Sequence, residues 1–472
     1  MTTPAGPSST RAPHPRAVVG ALAFAGMCAS FMQTILIPLQ AELPELLSAS
    51  RDDTAWVITI TMLASAICTP ISGRLGDMFG KRRVALVLMA LLVLGSLVAA
   101  LSPTVTPLII GRGLQGLGMG VIPLGISILH DLLDSDRLGS AVALVSATLG
   151  VGGALGLPIS AYVSEHYDWH ALFWMASALG ALALLLMWRL VPPSTLRTGG
   201  RIDTVGVIGL SVGLTGILLA ISRGNEWGWG APPTLVFLIG GAVVLVLWGW
   251  YELRVADPLV DLRVSARAPV LMTNLASIAM GFALFAAQIA FPQLLELPVR
   301  AGGLGLPLLQ ASFILMPSGL AMLLMSPVAG RVERRWGPKP LLVLGAAIIA
   351  VGYAIAVLTD LATWHILTIN LMIGIGIGLG YAAMPTLIMR AVPASETGAA
   401  NGLNTLMRGL GTATASAVIA TVLAQSVIEV GGESQPDASG FQTAFILGLV
   451  AAAVCTALAA LIPRSRSSAA EH

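Results

Sequence analysis

The stretch that decides the fold reads Gly73-Arg74-Leu75-Gly76-Asp77-Met78-Phe79-Gly80-Lys81-Arg82-Arg83, a short basic loop between two apolar runs. A degenerate copy follows about 257 residues later and reads Gly330-Arg331-Val332-Glu333-Arg334-Arg335-Trp336-Gly337-Pro338-Lys339. A basic loop that is bounded by glycine and used twice in an apolar chain indicates a membrane protein built from two similar halves.

The composition excludes an ordinary soluble protein. Of the 472 residues, 56% are hydrophobic and only 10% are charged, whereas soluble domains carry roughly 25% charged residues. The three cysteines, Cys28, Cys68 and Cys455, lie in apolar runs without metal-ligand spacing. We therefore expect neither a disulfide framework nor a metal site. Only two lysines accompany 23 arginines, and this bias suggests a GC-rich bacterial source.

Apolar runs of about 20 residues recur along the chain, and each is long enough to cross a hydrocarbon core as a helix. The fourteen predicted spans are 17–41, 54–74, 83–103, 106–130, 138–161, 170–191, 204–222, 232–251, 269–294, 306–329, 340–359, 363–389, 397–426 and 441–462. The tenth contains three prolines, so we expect that helix to be broken.

The basic residues predict the orientation of these spans. With both termini in the cytoplasm, twenty of the 25 Lys and Arg residues fall on the cytoplasmic side, and only Arg51, Arg223 and Arg300 fall on the other side. Arg112 and Arg408 lie inside spans. One missed or invented span would reverse every later loop, so this asymmetry supports the count of fourteen. We expect a multi-pass protein of the bacterial inner membrane with both termini cytoplasmic.

The repeat continues beyond the loop at a nearly constant offset. Residues 108–118 align with 366–376, and Ser140-Ala141 aligns with Gly398-Ala399. An offset of eight spans leaves two helices over, which favours six spans, two inserted spans and six more. The predicted division is a tail at 1–16, a six-helix bundle at 17–191, a linker with two inserted helices at 192–267, a second six-helix bundle at 268–463 and a tail at 464–472.

The repeated loop resembles the loop signature of the major facilitator superfamily, with Gly73, Asp77, Gly80, Lys81 and Arg82 at the expected positions. Residues 112–118, Arg-Gly-Leu-Gln-Gly-Leu-Gly, resemble its fourth-span motif. Residues 150–160 resemble, in degenerate form, the fifth-span motif that marks exporters. The helix-packing positions in that motif are Gly150, Gly153, Gly156 and Pro158.

Segments 222–229 and 257–263, around the central insert, resemble those of the fourteen-span drug:proton antiporter family. This family includes bacterial multidrug exporters. The resemblance implies an all-α membrane protein with the major facilitator fold, in which two six-helix bundles are joined by two inserted helices. It also implies a rocking, alternating-access mechanism.

The loop signature predicts a conformational latch. Asp77 can accept hydrogen bonds from Arg82 or from the N-terminus of a neighbouring helix, where anions are favoured. The alternative is that the basic residues only set the topology. In the second copy Arg334 replaces the aspartate, so we expect a weaker latch there or one that uses Glu333.

Proton coupling is implied by the resemblance, which assigns the fourth-span Arg112 to proton transfer. The alternative is a structural arginine that ties helices together. First spans of the family often carry an acid, but here residues 31–35 read Phe-Met-Gln-Thr-Ile, with Met32 at the acid's position. The remaining proton-binding candidates lie near membrane boundaries: Glu42, Asp53 and Asp131. For each of them a solvated loop residue is the competing interpretation.

Neutral polar side chains and one arginine inside spans are candidates for a substrate cavity: Gln33, Thr34, Asn274, Gln288, Asn370, Asn404 and Arg408. Simple helix packing is the alternative for each of them. A buried cation such as Arg408 costs roughly 2.5–3.5 kcal/mol on insertion scales, so it usually faces a partner or a cavity.

These features predict a secondary-active exporter of amphipathic small molecules, coupled to protons. The alternative on the same scaffold is an exporter or flippase for a lipid or a dedicated metabolite. A membrane-embedded enzyme would require a clustered set of nucleophilic or metal-ligating residues, and the sequence shows none. It also has no Gly-x-x-x-x-Gly-Lys-Ser/Thr loop for ATP. We expect no cofactor and no nucleic-acid partner. Membrane lipids surround the chain, and a monomer is the favoured state.

Overall fold

The computed structural model of the chain describes residues 15–36, 39, 42–194, 196–199, 201–430 and 433–463. Of residues 51, 52, 135, 429, 430, 433 and 434 it describes the backbone alone. The predicted tail at 464–472, and residues 1–14 of the tail at 1–16, lie outside the described residues.

The described chain is almost entirely helical. Its helices are α1 (Pro15–Thr34), α2 (Leu43–Leu46), α3 (Arg51–Phe79), α4 (Lys81–Ala100), α5 (Val105–Gly118), α6 (Val121–Leu132), α7 (Ser135–His166), α8 (His170–Leu190), α9 (Thr204–Trp227), α10 (Pro232–Glu252), α11 (Leu262–Ser265), α12 (Ala268–Glu296), α13 (Leu308–Trp336), α14 (Pro338–Leu358), α15 (Thr363–Met389), α16 (Thr397–Gln425) and α17 (Ala438–Leu461). Two 3₁₀ turns lie at Val299–Ala301 and Ala394–Glu396. One antiparallel pair of strands, β1 (Val427–Val430) and β2 (Glu433–Pro436), precedes α17. Sequence analysis did not predict this hairpin.

Fourteen segments of the described chain are long and apolar enough to cross a membrane, which confirms the predicted number. The fourth is made of two helices, α5 and α6, which are separated at Met119-Gly120. Pro123 explains the break, because it cannot donate the hydrogen bond that would continue the helix to the carbonyl of Met119.

Several helices extend beyond the apolar runs from which they were predicted. The predicted span 54–74 lies within α3, which begins at Arg51 and ends at Phe79. Its first turn is polar, and Ser50 caps it by accepting a hydrogen bond from the backbone N–H of Asp53 at 3.1 Å. The expected break in the tenth span is wrong, because α13 runs unbroken through Pro317 and Pro327. Packing against α7 and α15 holds this helix on both sides of its prolines.

Three hydrophobic clusters make up the interior. The largest is built mainly from α12 to α17, and the second mainly from α1 to α8. The third joins Leu210 and Leu214 of α9 to Leu63 of α3 and to Leu403 and Leu406 of α16. The inserted helix α9 therefore contacts both sets of helices. Its partner α10 packs on α9 and exposes an apolar surface that includes Val246, which is 71% exposed. An apolar outer face of this kind is suited to lipid.

Glycines allow the closest contacts between the two sets of helices. A Cβ added to Gly73 of α3 would lie 2.3 Å from the carbonyl oxygen of Gly398 in α16. At the equivalent place in the repeat, a Cβ added to Gly330 of α13 would lie 2.6 Å from the Cβ of Ser140 in α7. Both contacts are too close for any side chain larger than hydrogen. They bring the two copies of the loop against the N-termini of α16 and α7.

Candidate functional site

Asp77 lies in the last turn of α3 and contacts the first turn of α16. Its Oδ1 accepts a hydrogen bond from the backbone N–H of Gly398 at 3.1 Å, and its Oδ2 accepts one from that of Ala399 at 2.8 Å. The first N–H groups of a helix have no partner within the helix, and the helix dipole favours an anion there. The carboxylate of one helix therefore caps another that is more than 300 residues away in the chain. Asp77 is only 1% exposed.

Lys81 completes the charge balance of this contact. Its Nζ donates to both carboxylate oxygens of Asp131 at 2.9 and 2.8 Å and to Oγ1 of Thr397 at 2.8 Å. It also lies 3.7 Å from Oδ1 of Asp77. We call Asp77, Lys81, Asp131 and Thr397, together with the N–H groups of Gly398 and Ala399, the latch cluster. The cluster joins α3, α4 and α6 to α16 through buried charged groups, which interact more strongly than exposed ones.

The turn between α3 and α4 depends on Gly80. Its φ of +103° is a conformation that L side chains rarely adopt. This turn ends α3 just after Asp77 and begins α4 at Lys81, so the two charged side chains project from adjacent helix ends. The spacing of the loop signature thus follows from the geometry of the turn.

Arg82 does not bind Asp77. Its Nη2 donates to the carbonyl oxygen of Trp188 at 2.6 Å, and its backbone N–H donates to Oγ of Ser194 at 3.0 Å. Of the two partners predicted for Asp77, it binds the N-terminus of a neighbouring helix, α16, and not Arg82. The carbonyl of Asp77 also accepts from the N–H of Thr198 at 2.9 Å, so the linker after α8 packs on the loop.

The second copy of the loop makes a different contact. Glu333 is 5% exposed, and a Cβ added to Gly139 of α7 would lie 2.5 Å from its Oε2. Glu333 pairs with Arg390 at 3.4 Å, within the same half of the chain. The hydrogen bond from this copy to α7 comes from Arg334, whose Nη1 donates to the carbonyl of Asp136 at 3.2 Å. In the residues described, Glu333 forms no hydrogen bond with the backbone of α7.

The hydrogen bonds that join α1–α8 to α12–α17, within the described residues, all lie at the end of the bundle that holds the latch cluster. Besides those of Asp77 and Lys81, they run from Arg334 to Asp136, from Ser326 to the carbonyl of Ser140 at 3.3 Å, and from Asn401 to Oγ of Ser127 at 3.2 Å. The two sets of helices are thus held together by polar contacts at one end.

Arg112 lies in α5 and is 1% exposed. Its Nη1 donates to the carbonyl of Met32 at 2.7 Å and to Oε1 of Gln115 at 2.8 Å, and its Nε donates to the carbonyl of Val57 at 3.3 Å. Gln115 donates in turn to Oγ of Ser96 at 2.8 Å. The ion pairs of the described chain do not include Arg112, so this buried cation is solvated by oxygen dipoles from α1, α3 and α5.

The other proton candidates lie in different surroundings. Glu42 and Asp53 are exposed, and Asp53 accepts a hydrogen bond from Oγ of Ser50 at 2.7 Å as part of the cap of α3. Asp131, whose side chain is 9% exposed, is the buried one of the three. Sequence analysis did not anticipate that Asp131 shares Lys81 with Asp77, because 50 residues separate Lys81 from Asp131.

The predicted cavity residues fall into two groups. Asn404 of α16 donates from Nδ2 to Oδ1 of Asn274 at 2.9 Å and to Oγ of Ser277 at 2.7 Å, so it ties α16 to α12. Asn370 likewise ties α15 to α13 by donating to the carbonyl of Leu315 at 2.8 Å. The others are less enclosed: Gln33 and Thr34 are half-buried, and Gln288 is exposed.

Arg408 forms no hydrogen bond with Asn404, which lies one helical turn before it. Its guanidinium lies 4.5 Å from the centre of the Tyr381 ring, and its Nη2 donates to Oγ1 of Thr405 at 3.4 Å. The salt bridges among the described residues do not include Arg408, which is 8% exposed. Arg112 and Arg408 are thus two buried cations, one in each half of the chain.

The fifth-span glycines lie on two faces of α7. Gly150 faces α13, where an added Cβ would lie 2.0 Å from Sδ of Met322. Gly153 and Gly156 face Thr34 of α1. A Cβ added to Gly153 would lie 3.6 Å from Cγ2 of Thr34, and one added to Gly156 would lie 2.1 Å from its Oγ1. The helix continues through Pro158. The motif therefore brings α7 into close contact with a helix of its own half and with one of the other half.

Comparison with known proteins identifies the family. The model of the Major Facilitator Superfamily matches residues 22–416, which is most of the chain. The chain belongs to the Major Facilitator Superfamily. Its fold is also similar to that of the human organic anion transporter MFSD10 (TETRAN), with a TM-score of 0.66 at 16% identity over 94% of this chain and 100% of the other.

Relatives within the superfamily are named for drug resistance. The lincomycin resistance protein LmrB of Listeria monocytogenes is 26% identical over 454 residues, which cover 93% of this chain and 95% of that protein. The multidrug resistance protein B homolog of Mycobacterium tuberculosis is 30% identical over 399 residues, which cover 81% and 72% of the two chains. This major facilitator is a multi-pass membrane transporter of small molecules and not an enzyme.

Proposed function

We propose that this chain is a secondary-active exporter of amphipathic small molecules, including antibiotics, that works by alternating access between two six-helix bundles (17–191 and 268–463). The observation that carries the proposal is the polar closure at one end of the bundle, centred on Asp77 and the N-terminus of α16. A contact made by a few buried hydrogen bonds can break and re-form as a unit. The relatives named for lincomycin and multidrug resistance support the class of substrate.

The closed end is assigned to the cytoplasm because the excess of Lys and Arg falls there. In this assignment both termini are cytoplasmic, and the latch is the latch cluster with the loop that carries it. In that loop Gly73 allows the contact with α16, Gly80 makes the turn, and Arg82 holds the end of α8. Substrate enters from the cytoplasm or the inner leaflet when the latch opens. It leaves on the far side when the latch closes.

Protons are the proposed coupling ion. Asp131 is the buried member of the candidate carboxylates, and its protonation would remove the charge that holds Lys81 at the latch. Arg112 would hold the first bundle in register during the change, because its hydrogen bonds reach α1 and α3 as well as its own helix. Substrate would contact Arg408, Gln33 and Gln288 in the space between the bundles.

The test is the uptake of an amphipathic dye by inverted membrane vesicles under an imposed pH gradient. We compare the unmodified chain with Asp77→Asn, Arg112→Ala and, as a matched control, the exposed Asp257→Asn. Gradient-driven uptake that is lost in the first two variants and kept in the control supports a proton-coupled exporter. The Asn side chain of the first variant keeps one acceptor oxygen and presents an NH₂ group in place of the other, so one of the two hydrogen bonds that cap α16 is lost together with the negative charge.

Two outcomes would contradict the proposal. Dye uptake without any dependence on the pH gradient would remove proton coupling. No uptake of several chemically different dyes by a correctly inserted protein would point to a lipid or a dedicated metabolite as the substrate.

A further inference from the structure

Two carboxylates meet at the base of the inserted helical hairpin, where α9 begins and α10 ends. Oδ1 of Asp203 accepts hydrogen bonds from the N–H of Gly206 at 2.8 Å and from the hydroxyl of Tyr251 at 3.0 Å. Oε2 of Glu252 accepts one from the N–H of Val260 at 3.3 Å. Each carboxylate therefore has one oxygen whose hydrogen bonds fix its position.

The remaining oxygens converge on one small space. Oδ2 of Asp203 and Oε1 of Glu252 are both buried, and neither has a hydrogen-bond partner among the residues that the structure describes. A Cβ added to Gly206 would lie 2.4 Å from the first and 2.5 Å from the second, so the two oxygens are at most about 5 Å apart. Glu252 is only 2% exposed. An unpaired carboxylate oxygen in such surroundings is unfavourable.

The polar groups nearest to this pair do not satisfy it. The hydroxyl of Tyr251 donates to the oxygen of Asp203 that is already paired. Trp248 and the backbone N–H of Leu259 also lie beside the carboxylate of Glu252, but in the described chain neither makes a hydrogen bond of good geometry with it.

No cation balances the pair in the part of the chain that is described. The ion pairs found there include neither Asp203 nor Glu252. The charged residues of the following loop are turned to other partners: Arg254 stacks over the ring of Trp250, Arg263 donates to the carbonyl of Leu253, and Asp261 caps α11. The polar contacts of α9 with α3 and α16 lie near its other end, where Ser222 meets Thr59 and Asn225 meets Thr421. Between them and the carboxylates, α3 and α16 contribute apolar residues such as Leu63 and Leu403 to the cluster shared with α9.

Two ionised carboxylates at this separation repel each other, and an apolar environment strengthens the repulsion. One proton between them replaces the repulsion with a hydrogen bond and satisfies both unpaired oxygens. We propose that Asp203 and Glu252 form a proton-binding site, in which a single proton from solvent bridges Oδ2 of Asp203 and Oε1 of Glu252. A divalent cation suits the site less well, because Ca²⁺ takes about 6–8 oxygen ligands and only two oxygens are free here.

The bound proton fastens the insert to the rest of the protein. Glu252 holds the loop at Val260, and Val260 packs in the same cluster as Leu63 of α3 and Leu403 of α16. Loss of the proton restores the repulsion at the base of the hairpin and loosens this contact with both halves. The site therefore makes the docking of the insert sensitive to pH. This inference depends on neither the substrate nor the direction of transport.

The test is the pH dependence of thermal unfolding of the purified full-length chain in detergent, from about pH 5 to about pH 9. The bound proton stabilises the folded state, so the Tm of the unmodified chain falls as the pH rises and the proton is released. In Glu252→Gln the amide N–H donates to Asp203 at every pH, and the fall is lost. Asp203→Asn has the same effect. The exposed Asp257→Asn is the matched control and keeps the fall.

Infrared difference spectroscopy gives a second measurement that does not depend on stability. The unmodified chain shows the carbonyl band of a protonated carboxylic acid that disappears as the pH is raised, and this band is absent from Glu252→Gln. Parallel Tm curves for the unmodified chain and Glu252→Gln, or no such band, would overturn the proposal. Restoration of the Tm at high pH by Na⁺ or Ca²⁺, in the unmodified chain alone, would overturn it in favour of a cation site.

Discussion

The Nη1 atom of Arg112 lies 2.7 Å from the backbone carbonyl oxygen of Met32, whose side chain is buried against Ser96. Met32 stands where first spans of the resembled antiporter family often carry an acid. The guanidinium therefore lies at the backbone of the position where the resembled family often carries a carboxylate. It binds the carbonyl of the same residue and the amide of Gln115 in its place.

This arrangement predicts that Arg112 can accommodate an acid at position 32. We expect Met32→Asp to fold, because the guanidinium supplies the opposite charge. In an Arg112→Ala background the same substitution leaves a lone buried carboxylate, and the loss of stability grows by about 3–5 kcal/mol. Unfolding in detergent measures both losses, with Met32→Asn as the neutral control of similar size. Equal losses in the two backgrounds would show that the guanidinium does not reach the side chain at position 32.

A second prediction concerns the loop between α7 and α8, outside the membrane-spanning segments. The backbone N–H of His170 donates a hydrogen bond to Oδ1 of Asp168 at 2.8 Å, and a ring nitrogen of His170 contacts the same oxygen. These two hydrogen bonds, the backbone one foremost, lower the pKa of the Asp168 carboxyl below its ordinary value. A lowered pKa in the folded state adds stability that is present above the pKa of the unfolded chain and is lost as the pH falls through the folded value.

We therefore expect Asp168→Asn to unfold at a slightly lower temperature than the unmodified chain at neutral pH. The difference should shrink as the pH falls below about 3.9, the ordinary value for aspartate, and vanish below the lower pKa of the folded state. The control is Asp257→Asn, at an exposed carboxylate that accepts no such hydrogen bonds from the described residues. If the difference in unfolding temperature between the two chains stayed constant from neutral to acidic pH, the ionised form of Asp168 would not contribute to stability.

The number of spans and the family were predictable because they rest on patterns that the membrane imposes on the sequence. Twenty-residue apolar runs predict helices whatever the packing, and the loop of Gly73 to Arg83 has a spacing that the turn at Gly80 requires. Helix ends were less predictable, because polar turns such as that of Asp53 continue a helix beyond its apolar run. A proline did not by itself predict the outcome: the span with Pro123 is broken just before it, next to Gly118 and Gly120, whereas α13 continues through Pro317.

The partners of the candidate residues were harder to predict. Asp77 was expected to bind Arg82 or a helix N-terminus, and only the three-dimensional packing of α16 selects between them. Thr397 gave no signal in the sequence, because a threonine at a helix start usually caps its own helix. The pair of Asp203 and Glu252 was also missed. Each residue alone reads as a polar end of a span, and their proximity depends on how α9 and α10 pack.

A third prediction tests the charge balance at the latch cluster. Lys81→Met removes the ammonium that lies 2.8 Å from Asp131 and 3.7 Å from Asp77. Breaking a buried ion pair by removal of one partner costs about 3–5 kcal/mol, because the other charge stays buried. Unfolding of the detergent-solubilised protein measures this loss. The double variant Lys81→Met, Asp131→Asn should recover part of it, and a double variant no more stable than the single one would contradict the proposed balance.

The fourth prediction concerns the close contact of α3 with α16. A methyl group at Gly73 would lie 2.3 Å from the carbonyl oxygen of Gly398, and backbone atoms of this kind cannot move aside as a flexible side chain can. We expect Gly73→Ala to force the two helix ends apart at a cost of about 1–3 kcal/mol, the usual range for overpacking. Asp77 then no longer reaches the N–H groups of Gly398 and Ala399.

Hydrogen exchange measures this separation directly, since those two amides lose their acceptor. In Gly73→Ala we expect faster exchange at the start of α16 and reduced transport of dye, with insertion into the membrane unchanged. The matched control is Gly409→Ala in α16, because a Cβ added to Gly409 would have no atom outside its own helix within 4 Å. If both variants exchanged and transported alike, the approach of α3 to α16 would not limit the closed state, and the latch would have to depend on Lys81 and Thr397 alone.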